Sequence, residues 1–213
     1  MLVDLNIEDK KILIIGGGSV GEFKASKALQ PNLSITIVSK SFTEKLKRLE
    51  QEGLVKLVEL NLKSDTNSIS SLIKESDIII VATDNEVLNI NMAKMAKMQN
   101  KLVSVVDNPS ISDFNSPATI RFGDIRIGIC TGGKSPAMSK ILRKRIENLI
   151  TEEDILQVKL QEYVRKFLKD NYSEKSAHKD LIYSIIESPE IKKLLKVGKL
   201  EESKNLAKQL IKK

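Results

Sequence analysis

The sequence has 213 residues, of which 41% are hydrophobic and 30% are charged, as in a globular protein with one domain and a smaller appendage. No apolar stretch approaches the roughly 20 residues that span a bilayer, and the N-terminus lacks the pattern of a signal peptide. We therefore expect a cytoplasmic protein with no membrane partner. One cysteine, Cys130, excludes an internal disulfide, and with one histidine, His178, it provides no Cys/His cluster for a metal ion.

The net charge of +7 is concentrated in the C-terminal half of the chain. Residues 1–113 hold 14 Lys and Arg against 15 Asp and Glu, whereas residues 114–213 hold 21 against 13. Seven basic residues and one acid fall between Arg121 and Arg145. Because this segment has no Trp or Tyr to stack on bases, we expect no nucleic-acid partner. The pattern is typical either of a site for a polyanionic small molecule or of an ordinary solvated basic face.

Over the first hundred or so residues, short apolar runs alternate with longer amphipathic stretches, which predicts successive βαβ units and a parallel sheet. The apolar runs at 12–15 and 78–81 are continuous, as expected for strands that are covered on both faces. The predicted strands lie at 11–15, 34–38, 56–60, 77–82 and 102–106. The predicted helices between them lie near 21–29, 43–52, 68–74 and 86–98.

The pattern changes after Asp107, where a link rich in Pro, Ser and Asn leads to two short predicted strands, 118–122 and 125–129, that form a hairpin. Next comes a helix that begins with Ser135 as N-cap and Pro136 at its first position, and that runs to about residue 149. The remainder predicts short amphipathic helices broken near 171–173 and at Pro189. The sequence therefore divides into three predicted parts, 1–113, 114–150 and 151–213.

Directly after the first predicted strand, the residues from Gly16 to Gly21 match the pattern G-x-G-x-x-G and open a helix. Gly16 permits a tight turn, Gly18 lets a diphosphate approach the backbone, and Gly21 lets the helix pack on the strand. The helix N-terminus supplies N–H groups for phosphate. The segment therefore predicts an α/β, Rossmann-like domain that binds a dinucleotide, with a merely glycine-rich turn as the alternative.

The second predicted strand ends without the Asp or Glu that usually binds the ribose of NAD, because Ser39, Lys40 and Ser41 follow it. Lys40 favours the extra phosphate of NADP, whereas the serine hydroxyls suit a ribose hydroxyl. The residues alone therefore favour NAD and NADP about equally as the cofactor.

Ligands of open α/β sheets bind beyond the carboxyl ends of the strands, where this sequence places Thr83 and Asp84 after the fourth strand and Asp107 after the fifth. We expect Thr83 beside the cofactor. Asp107 is a candidate acid or base over the site. The alternative is that Asp107 caps the turn before Pro109.

The turn before the basic helix combines flexible glycines, a cation and a helix start, which predicts an anion-binding corner for a carboxylate ligand. An ordinary N-capped helix after a glycine turn is the alternative. The residues of this corner are Gly132, Gly133, Lys134, Ser135 and Pro136.

Four blocks of residues, in the same order, resemble the siroheme-synthase type of precorrin-2 dehydrogenase, a family in which some members are also sirohydrochlorin ferrochelatases. They cover about residues 6–148, and the last two separate this family from general Rossmann enzymes. The blocks are Gly16-Gly17-Gly18-Ser19-Val20, Val81-Ala82-Thr83-Asp84 with Asn89 or Asn91, Val105-Val106-Asp107-Asn108-Pro109 leading to Asp113-Phe114 and Pro117-Ala118, and Ile129-Cys130-Thr131-Gly132-Gly133-Lys134-Ser135-Pro136-Ala137.

This resemblance implies a nucleotide-binding domain, a central dimerisation segment and a helical C-terminal domain in a homodimer. It implies that NAD is the cofactor, that the tetrapyrrole precorrin-2 is oxidised to sirohydrochlorin, and that Asp107 is catalytic. The family's cofactor contacts fall on Ser19, Val20 and the segment from Ser39 to Phe42, and its tetrapyrrole-contacting serine falls on Thr131.

The sequence departs from the family pattern without removing a catalytic group. Gly21 and Phe23 stand where the family often has alanine and arginine, Ser104 where it often has asparagine, and Cys130 where it usually has serine. Two alternative functions stay open: a bifunctional enzyme that also inserts iron into sirohydrochlorin, and a non-catalytic regulatory protein that senses a dinucleotide.

Overall fold

The computed structural model describes residues 2–30, 32–172 and 178–212 of the chain. It consists of two compact units, Met1–Ser116 and Pro117–Lys213. The first boundary lies close to the predicted one at residue 113. The hairpin segment and the C-terminal helices belong to one unit, so the further division at residue 150 stays a prediction.

The first unit is built on a five-stranded parallel sheet, as the alternating pattern predicts. The strands are β1 Lys11–Ile15, β2 Ser34–Ser39, β3 Lys56–Glu59, β4 Ile78–Val81 and β5 Leu102–Val105. Their order in the sheet is β3-β2-β1-β4-β5, so the chain extends the sheet to one side of β1 and then crosses to the other side. Such a reversal opens a crevice at the carboxyl ends of the central strands.

Helices cover both faces of this sheet, and alternate residues of β1 belong to two separate cores. The helices are α1 Ser19–Ala28, α2 Glu44–Gln51, α3 Thr66–Glu75 and α4 Glu86–Met98, followed after β5 by a short 3₁₀ turn at Pro109–Ile111. Leu13 and Ile15 lie in a cluster with α3 and α4 residues such as Met92, whereas Ile12 and Ile14 lie in a cluster with Ala25 of α1. This two-sided burial explains why β1 has no polar residue after Lys11.

The second unit begins with the predicted hairpin, in which β6 Ala118–Phe122 and β7 Ile125–Ile129 pair in antiparallel register. Gly123 turns the chain with a φ of +57°, in the left-handed region that favours glycine. Helix α5, Pro136–Glu147, begins as predicted with Ser135 as N-cap, because the Ser135 hydroxyl accepts a hydrogen bond from the N–H of Met138.

Four further helices follow: α6 Glu152–Asn171, α7 His178–Glu187, α8 Pro189–Lys196 and α9 Leu200–Ile211. The prediction of short helices is wrong for α6, which has 20 residues and a capping box between Thr151 and Asp154. The break between α8 and α9, at Gly198 with a φ of +78°, was not predicted. The predicted break near residue 171 is confirmed by the end of α6, although Ser173 lies outside the described residues. In the part of the chain that the structure describes, no helix is long and apolar enough to cross a membrane.

Candidate cofactor and active site

A cavity of about 780 Å³ opens at the carboxyl ends of the strands of the first unit. Its volume lies in the range typical of small-molecule sites. It occupies the place where ligands bind in open α/β sheets, beside the point at which the strand order reverses. The lining residues are Gly16, Gly17, Gly18, Ser19 and Val20 after β1; Ser39, Lys40 and Ser41 at the end of β2; Asn61, Leu62 and Lys63 after β3; Ala82, Thr83, Asp84, Asn85 and Leu88 after β4; and Val106 and Asp107 after β5.

The turn after β1 has the geometry that diphosphate binding requires. Gly16 adopts a φ of +124°, and a Cβ atom there would clash with the carbonyl of Ala82. A Cβ atom on Gly21 would clash with the carbonyl of Gly16, so this glycine lets α1 start close to the turn. Gly18 differs from both, because a Cβ atom there would have no heavy atom within 4 Å. The space beside Gly18 is therefore open to a ligand. Gly18 lies at the N-terminus of α1, where the first N–H groups of the helix have no partner within it.

Gly17, which the motif leaves unspecified, is needed to pack the segment after β2. A Cβ atom on Gly17 would clash with the carbonyl of Ser41 and would lie 2.8 Å from Cδ1 of Phe42. The N–H of Thr43 also donates to the carbonyl of Gly17, with an N···O distance of 3.2 Å. The serines and lysine of this segment line the cavity, whereas Phe42 packs behind Gly17 against the core around Ile12 and Ile14.

The segment after β3 also lines the cavity, and the sequence reasoning missed it. Asn61, Leu62 and Lys63 follow the carboxyl end of that strand, so the rule that identified Thr83 and Asp107 identifies them too. Their strand was predicted, but none of these three residues has the conspicuous chemistry of an acid. Among the described lining residues, the segments after β2 and β3 contribute two cations, Lys40 and Lys63, and no carboxylate.

Asp107 lies exposed at the cavity, with its carboxylate held from one side. The side-chain amide nitrogen of Asn89 donates to both carboxylate oxygens, at 3.2 and 3.1 Å. Asn89 is buried on α4 and also bonds to Thr83. The structure therefore brings together the glycine turn, Thr83 and Asp107.

The turn that follows Asp107 is held by other side chains. The Ser112 hydroxyl donates to the carbonyl of Asn108 and accepts from the N–H of Val105, and the Ser110 hydroxyl donates to Oδ1 of Asn108. This arrangement favours the interpretation of Asp107 as a cavity acid over that of a turn cap. Its catalytic role stays a prediction.

The predicted anion corner lies in the second unit, between β7 and α5. The N–H of Lys134 donates to the carbonyl of Thr131, and Gly132 and Gly133 adopt φ values of +61° and +75°. The Thr131 hydroxyl donates to the carbonyl of Ser135 at 3.0 Å and accepts from its N–H at 3.3 Å. The corner is thus a hydrogen-bonded turn whose tip, from Gly132 to Lys134, is exposed. Binding of an anion there stays a prediction.

The described residues contain no cluster of His, Cys, Asp or Glu side chains that could hold a metal ion.

Residues 3–118 match a family model described as putative NAD(P)-binding, and residues 123–149 match one described as sirohaem biosynthesis protein central.

Three relatives illustrate how similar this chain is to known proteins. A precorrin-2 dehydrogenase of Methanosarcina barkeri is 36% identical over 86% of this chain and 81% of its own length. A putative precorrin-2 dehydrogenase of Methanocaldococcus jannaschii is 29% identical over 90% of this chain and 92% of its own. A siroheme synthase of Psychrobacter cryohalolentis is 34% identical over 68% of this chain, which spans only 27% of that protein.

The solved structure of SirC, a precorrin-2 dehydrogenase, has the same fold, with a TM-score of 0.75 at 19% identity over 98% of this chain and 99% of that one. The parallel sheet, glycine turn and cavity define the first unit as a dinucleotide-binding domain of Rossmann type. The matched relatives and family models also identify the family: the chain belongs to the precorrin-2 dehydrogenase family. The family resemblance and the α/β fold class are both confirmed.

Proposed function

We propose that this protein oxidises precorrin-2 to sirohydrochlorin with NAD as the electron acceptor. The observation that carries the proposal is that one cavity of the first unit combines a glycine turn fitted to a diphosphate with the oriented carboxylate of Asp107. The relatives named precorrin-2 dehydrogenase match most of this chain over most of their own length, which supports the substrate assignment.

The residues of the cavity fit the diphosphate and a ribose of a dinucleotide. The open space at Gly18 and the N-terminus of α1 suit the diphosphate, and the hydroxyls of Ser39 and Ser41 suit a ribose. When NAD is bound, its nicotinamide ring supplies the acceptor for a hydride from the substrate. Ser39 and Ser41 line the cavity at the end of β2, on one side of β1. Thr83 and Asp107 follow β4 and β5, so they line it on the other side of β1.

Asp107 is the group we assign to proton transfer. Oxidation of precorrin-2 removes two hydrogens, of which one leaves as a hydride and the other as a proton. A carboxylate within reach of that proton accepts it and then releases it to solvent. Asp107 suits this role because it is both exposed to solvent and hydrogen-bonded to a buried donor.

The charge of the second unit matches the substrate. Precorrin-2 carries eight carboxylate side arms, and residues 121–145 supply seven basic residues against one acid. Ser135 caps the helix that carries four of these cations, and the Thr131 hydroxyl is hydrogen-bonded to the backbone of Ser135. We assign the turn from Thr131 to Ser135 to binding of the substrate's carboxylates.

The second unit also presents apolar surface that a second copy of the chain would cover. Met138 and Ile141 lie exposed one turn apart on α5, and Leu149 is exposed just beyond that helix. Helix α5 packs against the hairpin, so both elements belong to the same surface of the unit. These features support a homodimer.

Two incubations test the proposal. With precorrin-2 and NAD⁺ under anaerobic conditions, we expect NADH to form together with the absorbance spectrum of sirohydrochlorin. NAD binding without NADH formation would contradict the proposal and favour a sensor of dinucleotides. A second incubation, of sirohydrochlorin with Fe²⁺, tests the bifunctional alternative through the appearance of siroheme.

A further inference from the structure

Asn89 is a buried polar side chain next to the cavity, although it does not line it. It lies on the first turns of α4 and is only 1% exposed. A buried amide is costly unless its donors and acceptor are all hydrogen-bonded. The partners of Asn89 therefore indicate what the residue does.

All the hydrogen-bonding groups of the Asn89 side chain are used. Its Nδ2 donates to the carbonyl of Thr83 at 3.0 Å and to the two oxygens of the Asp107 carboxylate. Its Oδ1 accepts from the Thr83 hydroxyl at 2.5 Å. The reverse orientation of the amide would place Oδ1 against a carbonyl and a carboxylate, neither of which can donate. The network therefore specifies one orientation of Asn89.

The other end of this network is fixed to the wall of the cofactor cavity. The backbone of Ala82 and Thr83 lies so close to the glycine turn that a Cβ atom on Gly16 would clash with it. Asn89 thus connects Asp107, at the end of β5, to the backbone that follows β4 and borders the turn after β1. An exposed aspartate in a turn would otherwise sample several rotamers. A carboxylate has about four acceptor sites, so the contact with Asn89 leaves others for a substrate proton.

We propose that Asn89 is the positioning residue of the reaction, holding the Asp107 carboxylate in one orientation relative to the cofactor wall. The inference rests on the proposed function, since it requires that Asp107 handle a proton. Asn89 acts through Asp107 and does not itself touch the substrate. Loss of this contact should lower the rate of the chemical step, because misplacement of a reacting group by about 1 Å costs up to roughly 100-fold.

A double-mutant cycle separates positioning from a merely structural role. The variants are Asn89→Leu, which has a similar shape without hydrogen bonds, Asp107→Ala, and the combination of both. We expect Asn89→Leu to lower the single-turnover rate of NADH formation roughly 10- to 100-fold with an NAD affinity close to that of the unchanged protein. In the Asp107→Ala background, the same change should lower the rate less than about twofold, because its partner is absent.

Asn91→Leu, at an exposed position of the same helix, is the matched control and should keep the full rate. If circular dichroism shows that Asn89→Leu does not fold, the same comparison of rates is made with Asn89→Asp. This variant keeps the size of the side chain and the acceptor for the Thr83 hydroxyl, but it replaces the donor to Asp107. An equal loss in both backgrounds, or no loss in either, would overturn the positioning role while leaving that of Asp107 intact. A full rate in Asp107→Ala would overturn the assignment of Asp107, and the inference with it.

Discussion

The three glycines at the start of the motif have different surroundings. Their substitutions should therefore affect different properties of the protein, either the stability of the fold or the binding of a ligand. Gly16 is required by its positive φ and by the carbonyl of Ala82, whereas Gly18 has an ordinary extended φ of −80° and empty space beside it. A side chain at Gly18 consequently affects a ligand before it affects the fold. This separation makes Gly18 the position at which cofactor binding is tested without loss of structure.

Gly18→Asp should lower NAD affinity by at least roughly 100-fold, because a carboxylate in the diphosphate space brings like charges together at a cost of several kcal/mol. Circular dichroism should show an unchanged fold, since the new Cβ atom meets nothing. Titration calorimetry with NAD measures the effect. Asn91→Asp adds the same charge at an exposed position away from the cavity and should bind NAD normally. Unchanged affinity in Gly18→Asp would refute the placement of the diphosphate.

At the scale of elements, the contact between the glycine turn and the segment after β2 depends on Gly17. Gly17→Ala should lower the free energy of unfolding by about 1–3 kcal/mol, the usual cost of overpacking, because the new methyl group must displace Ser41 or Phe42. Gly18→Ala, one residue later, should change it by less than about 0.5 kcal/mol. Urea denaturation of the two variants makes the comparison. Equal stabilities would show that the segment after β2 is free to move away from the turn.

The strands of the first unit could be predicted because both faces of each are covered, which produces continuous apolar runs such as 12–15 and 78–81. The end of α6 near residue 171 was predicted, but the stretch before it was expected to form short helices and instead forms one helix of 20 residues. Leu156, Leu160, Val164 and Leu168 repeat at intervals of four with no Gly or Pro between them, so the helix continues. The break at Gly198 is visible in the sequence only as one glycine between two amphipathic stretches.

The candidate site was predictable where a residue has distinctive chemistry at the end of a strand, as with Asp107 and Thr83. Asn89 was not predictable as a partner of Asp107, because 18 residues separate the two and their contact depends on how α4 packs beside β5. The packing role of Gly17 was missed for a similar reason, since its neighbours in the segment after β2 are brought there by the sheet. In both cases the signal lies in tertiary packing.

At the scale of the whole molecule, the exposed apolar residues of α5 lead us to expect a homodimer at micromolar concentration by light scattering. Combining Met138→Glu with Ile141→Glu should shift the protein to the monomer, because four charges would face each other across a symmetric interface. Val197→Glu, at a 67% exposed position after α8, is the control and should stay dimeric. A wild-type monomer would contradict the expectation, and an unchanged dimer in the double variant would place the interface elsewhere.

The central claim is that the protein is a dehydrogenase in which Asp107 transfers the proton. The most direct test is the single-turnover rate of NADH formation from precorrin-2, measured for the unchanged protein, Asp107→Ala and Glu52→Ala, an exposed acid of the same unit. We expect Asp107→Ala to lose roughly 100-fold or more, the typical contribution of a positioned base, while NAD and tetrapyrrole affinities persist and Glu52→Ala keeps the full rate. A folded Asp107→Ala protein that turns over at the unchanged rate would contradict the account.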